Sequence, residues 1–285
     1  MTTVNYDRAV AYYDETRAFR SGVAEGYRQA LLHYLAGHDS PRILELAIGT
    51  GLIGVPFFAA GDSYVGVDIS RGMMGRIAPK LETGKAADLA QVDIARRLPF
   101  ADDSFDLVHA VRVFHLLDDW QRCVQEVRRV LKSGGHLLIV RNAPLDSGAQ
   151  PPWAVVHGKW DEILANLGVG VDGIRHGIFR TDDMMMEHLS STGARVQIVD
   201  LLPYTERAVS PRMMVERRQR KMFSSDWHLP ADLHARAVHQ LNRWLETECA
   251  EPDEMHAQAM VFRAIVARWG NPSQENRSRL VRAFD

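Results

Sequence analysis

Three carboxylates, Glu45, Asp68 and Asp93, stand within or at the ends of successive short apolar runs, and Gly49-x-Gly51-x-x-Gly54 lies between the first two. An unpaired charge inside a buried strand is costly. A ligand role for Glu45 therefore outweighs that of a satisfied structural carboxylate. Asp68 and Asp93 could cap helices, but both end strands of a parallel pattern, at the edge where open α/β sheets take their ligands. Glycine tolerates positive φ and lets a ligand lie directly on the main chain. A strand, a glycine turn and then a helix present backbone N–H groups and a positive dipole end to a nucleotide-like molecule.

Other candidates are weaker. Tyr13 and Arg17 fall one helical turn apart and share a face. His115 follows the fourth strand, where a hydrogen-bonded structural histidine is as common as a catalytic one. Met184-Met185-Met186 reads as core or cap packing, and Arg217-Arg218-Gln219-Arg220-Lys221 as the solvated face of a helix. Cys123 and Cys249, the chain's two cysteines, sit on helix-like segments as small hydrophobes, so neither a disulfide nor a metal site is expected.

The elements that must position these residues follow from periodicity. Ile43, Leu44 and Leu46 make a strand buried on both faces. Val55 to Ala60 reads as helix with Gly61 as its C-cap. Tyr64 to Asp68 is a second strand, with Ser70 as N-cap of a helix near 71–81 that Gly72, Gly75 and Pro79 oppose. Leu89–Asp93, Phe105–Ala110, His136–Val140, Arg195–Leu202 and Met260–Val266 complete seven strands. Helices are expected over 6–19, 21–36, 120–131, 153–167, 181–189, 211–223 and 230–249. Strands alternating with helices imply an α/β fold with a mostly parallel sheet covered on both faces.

Bulk properties narrow the function. The 285 residues carry 36 acidic and 34 basic side chains, and the pI is near 6.6. That balance gives no electrostatic reason to expect nucleic acid as partner. Met1 to Asp14 lacks a basic-then-apolar leader and no apolar run approaches a membrane span, so a cytoplasmic location is expected.

Taken literally, Gly49, Gly51 and Gly54 form the dinucleotide fingerprint, with Asp68 as the ribose acid of a nicotinamide oxidoreductase. Other features lead elsewhere: Glu45 before the turn, Asp68-Ile-Ser followed by Met73-Met74, Asp93 followed by Leu98-Pro99-Phe100, and Phe105-Asp106-Leu107-Val108 followed by His115 and Leu131-Lys-Ser-Gly-Gly. At these residues the sequence resembles the class I S-adenosylmethionine-dependent methyltransferases, in particular the group that includes the ubiquinone and menaquinone C-methyltransferases. The likeness is detailed over residues 5–143 and topological beyond.

The resemblance implies a Rossmann-like core over 41–269. An N-terminal helical cap (1–40), helical lid insertions near 144–180 and 205–250, and a mobile tail (270–285) would complete it. The cofactor would be S-adenosyl-L-methionine, leaving S-adenosyl-L-homocysteine. Glu45 would hold its ammonium, and the Ala47, Gly49, Thr50 and Gly51 loop would pass close to its methionine part. Asp68 would accept from the ribose hydroxyls, with Ile69 and Met73 near the adenine. Asp93 would accept from the adenine amino group beside Ile94. Val111 and Arg112 would line the methionine side. Tyr13 and Arg17 would fold over the cofactor, with Arg17 on its carboxylate. His115, with Tyr13 beside it, would orient the acceptor or take its proton. Ala47 stands where the family has glycine, a mild change only if its φ stays negative, and Ser133 stands where it has proline.

The acceptor is expected to be a partly apolar small molecule in a pocket lined by Trp153, Phe179, Tyr204 and Trp227. A lining dominated by charge would count against that expectation. The sequence is compatible with a homodimer. A non-catalytic cofactor-binding module, whose lid serves a protein partner, is the remaining alternative.

Overall fold

The structure, a computed structural model, describes residues 6–145, 152–170 and 181–270. The seven strands are β1 (Ile43–Leu46), β2 (Tyr64–Asp68), β3 (Asp88–Gln91), β4 (Phe105–Val111), β5 (Leu131–Pro144), β6 (Arg195–Thr205) and β7 (Ala259–Arg268). They form one sheet in the order β3-β2-β1-β4-β5-β7-β6. Every pair from β3 to β5 is parallel, and β7 runs antiparallel to both its neighbours, β5 and β6.

Side chains alternate across this sheet, and the core divides accordingly. Leu44 and Leu46 of β1 and Val108 of β4 face one way, onto Cys123, Val124 and Val127 of α5 (Trp120–Val130). Ile43 and Leu107 face the other, onto Tyr27 and Leu31 of α2 (Val23–His33) and Phe57 of α3 (Val55–Ala60). All four residues of β1 are buried, as a central strand covered by helices on both faces requires. Each fully buried leucine contributes about 1.5–3 kcal/mol relative to an exposed one.

A separate apolar cluster joins α6 (Pro152–Asn166), α8 (Pro211–Gln219) and α9 (Ala231–Thr247) through Val156, Trp160, Met214 and Leu241. Inside it lies an ion pair between Arg218 and Asp226, 4 % and 0 % exposed. Arg218 also meets His157 Nδ1 and Ser225 Oγ, and its guanidinium lies over the rings of Trp160 and Phe223. The run from Arg217 to Lys221 is therefore not a uniform solvated face, because one of its arginines is interior.

Several elements are shorter than their patterns predict. The 6–19 segment holds only a 3-10 turn at Asp7–Ala9 and the five-residue α1 (Tyr13–Arg17). The 71–81 pattern breaks into α4 (Arg71–Met74) and a 3-10 turn at Ala78–Lys80, as its glycines and Pro79 dictate. β3 stops at Gln91, two residues before Asp93. The N-cap expected at Ser70 holds, and other helices start on caps of the same kind. Ser70 Oγ accepts from Met73 N–H, Asp119 Oδ1 from Arg122 N–H, and Thr181 Oγ1 from Met184 N–H at the start of α7 (Asp182–Ser191). Phe179, the side chain of Trp153, much of the 144–180 insertion and the tail from 271 lie outside the described residues.

Candidate active site

The loop after β1 turns by positive φ at Ala47 (55°), Gly49 (58°) and Gly51 (73°). Ala47 thus adopts the left-handed conformation rather than the negative φ that would make its substitution mild. Holding an L-residue there costs on the order of 1 kcal/mol. The loop is fixed from outside. Asp68 Oδ2, at the end of β2, accepts from Gly49 N–H at 2.8 Å, and its Oδ1 accepts from Ser70 N–H at 2.8 Å. Burial raises the Asp68 pKa, and these backbone donors pull against that rise. Thr50 hydroxyl donates to Asp14 of α1, while Lys80 Nζ reaches both Asp14 Oδ2 and the Thr50 carbonyl at 2.7 Å.

Over this loop lies a cavity of about 90 Å³. Tyr6 and Tyr13 border it on one side, and Ala47, Gly49, Asp68, Ile69 and Met73 on another. Val92, Ile94, Val111, Arg112, Val113, Leu116 and Leu117 close it. Nine of the expected residues meet here: Tyr13, Ala47, Gly49, Asp68, Ile69, Met73, Ile94, Val111 and Arg112. Val92, Val113, Leu116 and Leu117 escaped the sequence reading because apolar residues beside strand ends carry no chemical signature, and Tyr6, from the N-terminal segment, escaped it too.

Other expected residues lie elsewhere. Arg17 borders the second cavity. Thr50 is buried on Asp14, and a Cβ on Gly51 would lie 2.9 Å from Ile77 Cγ1, behind the loop. Asp93 turns to Ala95 N–H and the Arg96 guanidinium instead of the cavity between its neighbours Val92 and Ile94. His115 sits exposed on the 3-10 turn Phe114–Leu116 and borders neither cavity. A turn of that kind cannot be told from a strand extension in sequence.

Glu45 needs the largest correction. It lies beneath the loop, 3 % exposed, against Gly54, whose added Cβ would stand 2.8 Å from Oε2. Tyr64 Oη is 2.6 Å from Glu45 Oε2 and 2.8 Å from His109 Nε2, and Tyr27 Oη is 3.2 Å from His109 Nδ1. Burial pushes Glu45 up to about 8 and His109 down to about 3. At neutral pH both are uncharged, and one proton order satisfies all four groups. Tyr64 donates to Glu45 Oε2, His109 Nε2–H donates to Tyr64, and Tyr27 donates to His109 Nδ1. Glu45 is thus a neutral brace under the glycine loop, not a counter-ion on the cavity wall.

This proton order has a measurable consequence. A carboxyl whose pKa is higher in the folded chain favours folding most below its unfolded value, and that advantage is lost as pH rises through its folded value, about 8. His109 works in the opposite sense, its contribution complete above its ordinary value of 6.5. Between pH 6.5 and 8 the Glu45 contribution should therefore fall with rising pH by about 1.4 kcal/mol per unit at most. Urea unfolding across that window should show the slope in the native chain and lose it in Glu45→Gln.

The second cavity, about 410 Å³, opens beyond Arg112, which borders both. Its floor is the carboxyl edge of β4, β5 and β6, represented by Arg112, Asn142, Tyr204 and Glu206. Arg17 and Phe19 of the N-terminal segment form one wall, and His157, Met213, Met214, Arg217 and Phe223 form the other. Five arginines (17, 112, 207, 217 and 220) and three glutamates (15, 206 and 216) line it, so it is a charged cleft and not the apolar pocket expected. Tyr204 is present as expected, whereas Trp227 packs instead on Tyr6 and Arg8. Burial raises the Glu206 pKa, opposed by the charges of Arg112 and Arg17. Burial, then Arg218 and Arg17, push His157 down to about 3.

The strand order departs from the usual dinucleotide-binding order, 3-2-1-4-5-6, by an antiparallel β7 between β5 and β6. Comparison with known proteins agrees. Residues 44–139 match a family model described as a methyltransferase domain. The chain is 34% identical over 110 residues to a phosphatidylethanolamine N-methyltransferase of Cereibacter sphaeroides, covering 38% of this chain and 53% of that protein. It is 34% identical over 143 residues to the ubiquinone/menaquinone biosynthesis C-methyltransferase of Paracoccus denitrificans, covering 47% and 56%. The chain therefore spans about half the length of these curated relatives. Among solved structures, a phosphoethanolamine N-methyltransferase 2 of Haemonchus contortus, in complex with phosphomonomethylethanolamine and S-adenosylhomocysteine, aligns with a TM-score of 0.52 at 16% identity. The alignment covers 93% of this chain and 58% of that one, a likeness of fold. Among the described residues no helix is long and apolar enough to cross a membrane.

Proposed function

We propose that this chain, whose core is a class I S-adenosylmethionine-dependent methyltransferase domain, moves a methyl group from that cofactor to a small organic acceptor. One observation carries the reading: a bare glycine loop and the Asp68 carboxylate meet in a cavity that shares a wall, Arg112, with a larger cleft over the next three strands.

The residues fit the cofactor's chemistry. Asp68 presents a carboxylate to neutral hydroxyls, and Ile69, Met73, Val92 and Ile94 offer an apolar slot for a flat base. Gly49 would let the amino-acid part lie against the main chain. When bound, S-adenosylmethionine would supply a methyl group activated by its sulfonium charge, with neutral S-adenosylhomocysteine as the leaving group.

What the chain must add is alignment and the exclusion of water. Fixing two reactants in line accounts for roughly 7–11 kcal/mol of a barrier. Tyr6 and Tyr13 cover the smaller cavity, and Tyr6 is itself held to the 205–250 insertion by Ser224 at 3.2 Å and by the Trp227 ring. The helices α6, α8 and α9 would act as the lid over the acceptor.

An acceptor bearing O–H or N–H must also lose a proton. On the wall of the larger cleft, burial and the Arg218 guanidinium push His157 down to about 3, which makes it a weak base, and burial raises the Tyr204 hydroxyl, so Glu206 is the base we assign. Because Glu206 acts only when ionised and its pKa is raised, the rate should climb with pH along an acid limb above the ordinary glutamate range, then level. Glu206→Gln should remove that limb and slow transfer about 100-fold. Single-turnover rates between pH 4 and 9 give the check.

Calorimetry with S-adenosylhomocysteine and with NAD tests the cofactor assignment. Binding of NAD in place of the homocysteine derivative would defeat it. Tight S-adenosylhomocysteine binding without transfer to any of a broad acceptor panel would favour the non-catalytic module.

A further inference from the structure

The larger cleft holds more positive charge than its own carboxylates satisfy. Arg220 pairs with Glu15 at 3.6 Å. Among the described residues no ion pair joins Arg17, Arg112, Arg207 or Arg217 to any carboxylate, although all four border the same space. Their surroundings are poor substitutes for an anion. Arg17 lies over the Phe223 ring and reaches the carbonyl of its neighbour Thr16, Arg112 lies over Phe19, and Arg217 meets the Met214 sulfur. The groups also repel one another. Burial first, and then the neighbouring guanidinium of Arg112, lower the Arg17 pKa, and burial with Arg17 does the same to Arg217. Arg17, Arg112 and Arg217 are half-buried and crowded, a cost that a bound anion would relieve, and Arg207 stands exposed at the rim of the same cleft.

A second observation is independent of charge. Tyr204 Oη, on a residue only 9 % exposed, and Asn142 Oδ1 are both buried without a hydrogen-bond partner, and both residues border the cleft. A buried polar atom left unsatisfied costs about 1–3 kcal/mol. The Asn142 oxygen can only accept, so it asks for an O–H or N–H on the ligand, and Tyr204 can donate to the same group.

We infer that the cleft takes a small organic acid, its carboxylate or phosphate held by Arg207 and Arg217 and its hydroxyl or amine held by Asn142 and Tyr204. This rests on the reading of the cleft as the acceptor site and gives that site its substrate class. The cavity of about 410 Å³ suits a molecule of one or two rings or a comparable chain. Arg112 lies toward the cofactor side, since it borders both cavities. Arg207 and Arg217 border only the larger one, and this separation makes the two readings testable apart.

The experiment uses the full chain saturated with S-adenosylhomocysteine and titrates three probes by calorimetry: inorganic phosphate, 4-hydroxybenzoate, and its uncharged methyl ester. Both anions should bind more tightly than the ester, and their affinity should fall as salt rises. Arg207→Gln and Arg217→Gln should each weaken the anions about tenfold, while leaving the ester and S-adenosylhomocysteine unaffected. Equal binding of acid and ester would overturn the inference, as would anion affinity indifferent to both substitutions. A parallel loss of S-adenosylhomocysteine affinity would hand the two arginines to the cofactor and overturn it too. If S-adenosylhomocysteine does not bind the native chain, the cofactor assignment fails, and the same anion titrations on unloaded protein still decide the acid site.

Discussion

Asp68→Ala should weaken S-adenosylhomocysteine binding about 1000-fold while the chain stays folded. The carboxylate has two duties. It fixes the glycine loop through Gly49 N–H and its own turn through Ser70 N–H, each at 2.8 Å, and it borders the smaller cavity. Two charge-assisted hydrogen bonds to ribose hydroxyls at about 2 kcal/mol each amount to about 4 kcal/mol, or roughly three decades of affinity. Alanine would also release Gly49 N–H from its acceptor, so the loop would lose definition together with its ligand. Calorimetry on the variant, with its circular dichroism and unfolding midpoint as controls, gives the answer. Affinity within tenfold of the native chain would reduce Asp68 to a loop fastener and leave the cavity without its principal polar contact.

Asp226→Ala should cost about 3–5 kcal/mol of stability, the expected loss when one partner of a buried ion pair is removed. Arg218 would then keep its charge among His157, Ser225 and two aromatic rings, with Asp161 as the remaining carboxylate that acts on it. Burial, opposed by Arg218, pushes Asp226 up to about 6, so the pair is ionised at pH 7. The cost of that pair lies in its desolvation. Replacing both members by leucine or methionine should therefore recover most of the loss, since the surrounding cluster of Val156, Trp160, Met214 and Leu241 is apolar. Urea unfolding of the single and double variants, with hydrogen exchange over α8 and α9, distinguishes the cases. A single variant as stable as the native chain would mean that water already reaches Arg218.

The division between what sequence reveals and what it conceals runs along the chain's contact distances. Strands, caps and the glycine turn follow from residues within a few positions of each other, so Ser70, Asp119 and Thr181 cap as their spacing requires. Asp68 is legible because it ends a strand. Glu45 is not. Its strand position is plain, but only the fold brings Tyr64 and His109 to it, across 19 and 64 positions, and turns a supposed counter-ion into a neutral acid. Asp93 misleads in a subtler way: β3 stops two residues early, and the acid turns onto Ala95 and Arg96.

An acceptor pocket with Tyr204 on its wall was expected, but the charged character of the larger cleft was concealed. The cleft gathers Arg17, Arg112, Asn142, His157, Tyr204 and Arg217 from six separate elements, none with a local motif. The basic run from Arg217 to Lys221 shows the ambiguity in miniature. One helical turn sends Arg217 to the cleft, Arg218 to the interior and Arg220 to Glu15. Charge counting along the sequence cannot separate those three fates.

The placement of β7 between β5 and β6 also sets an order of assembly on the ribosome. Among the described residues β6 pairs with no other strand, so residues 195–205 must wait, edge unpaired, until residues 259–268 have been synthesised. The half of the sheet from β3 to β4 involves only residues 43 to 111 and is free to close much sooner. A nascent chain would thus hold a formed nucleoside slot well before Tyr204 and Glu206 arrive. Ligand supplied during translation would act on that early half alone.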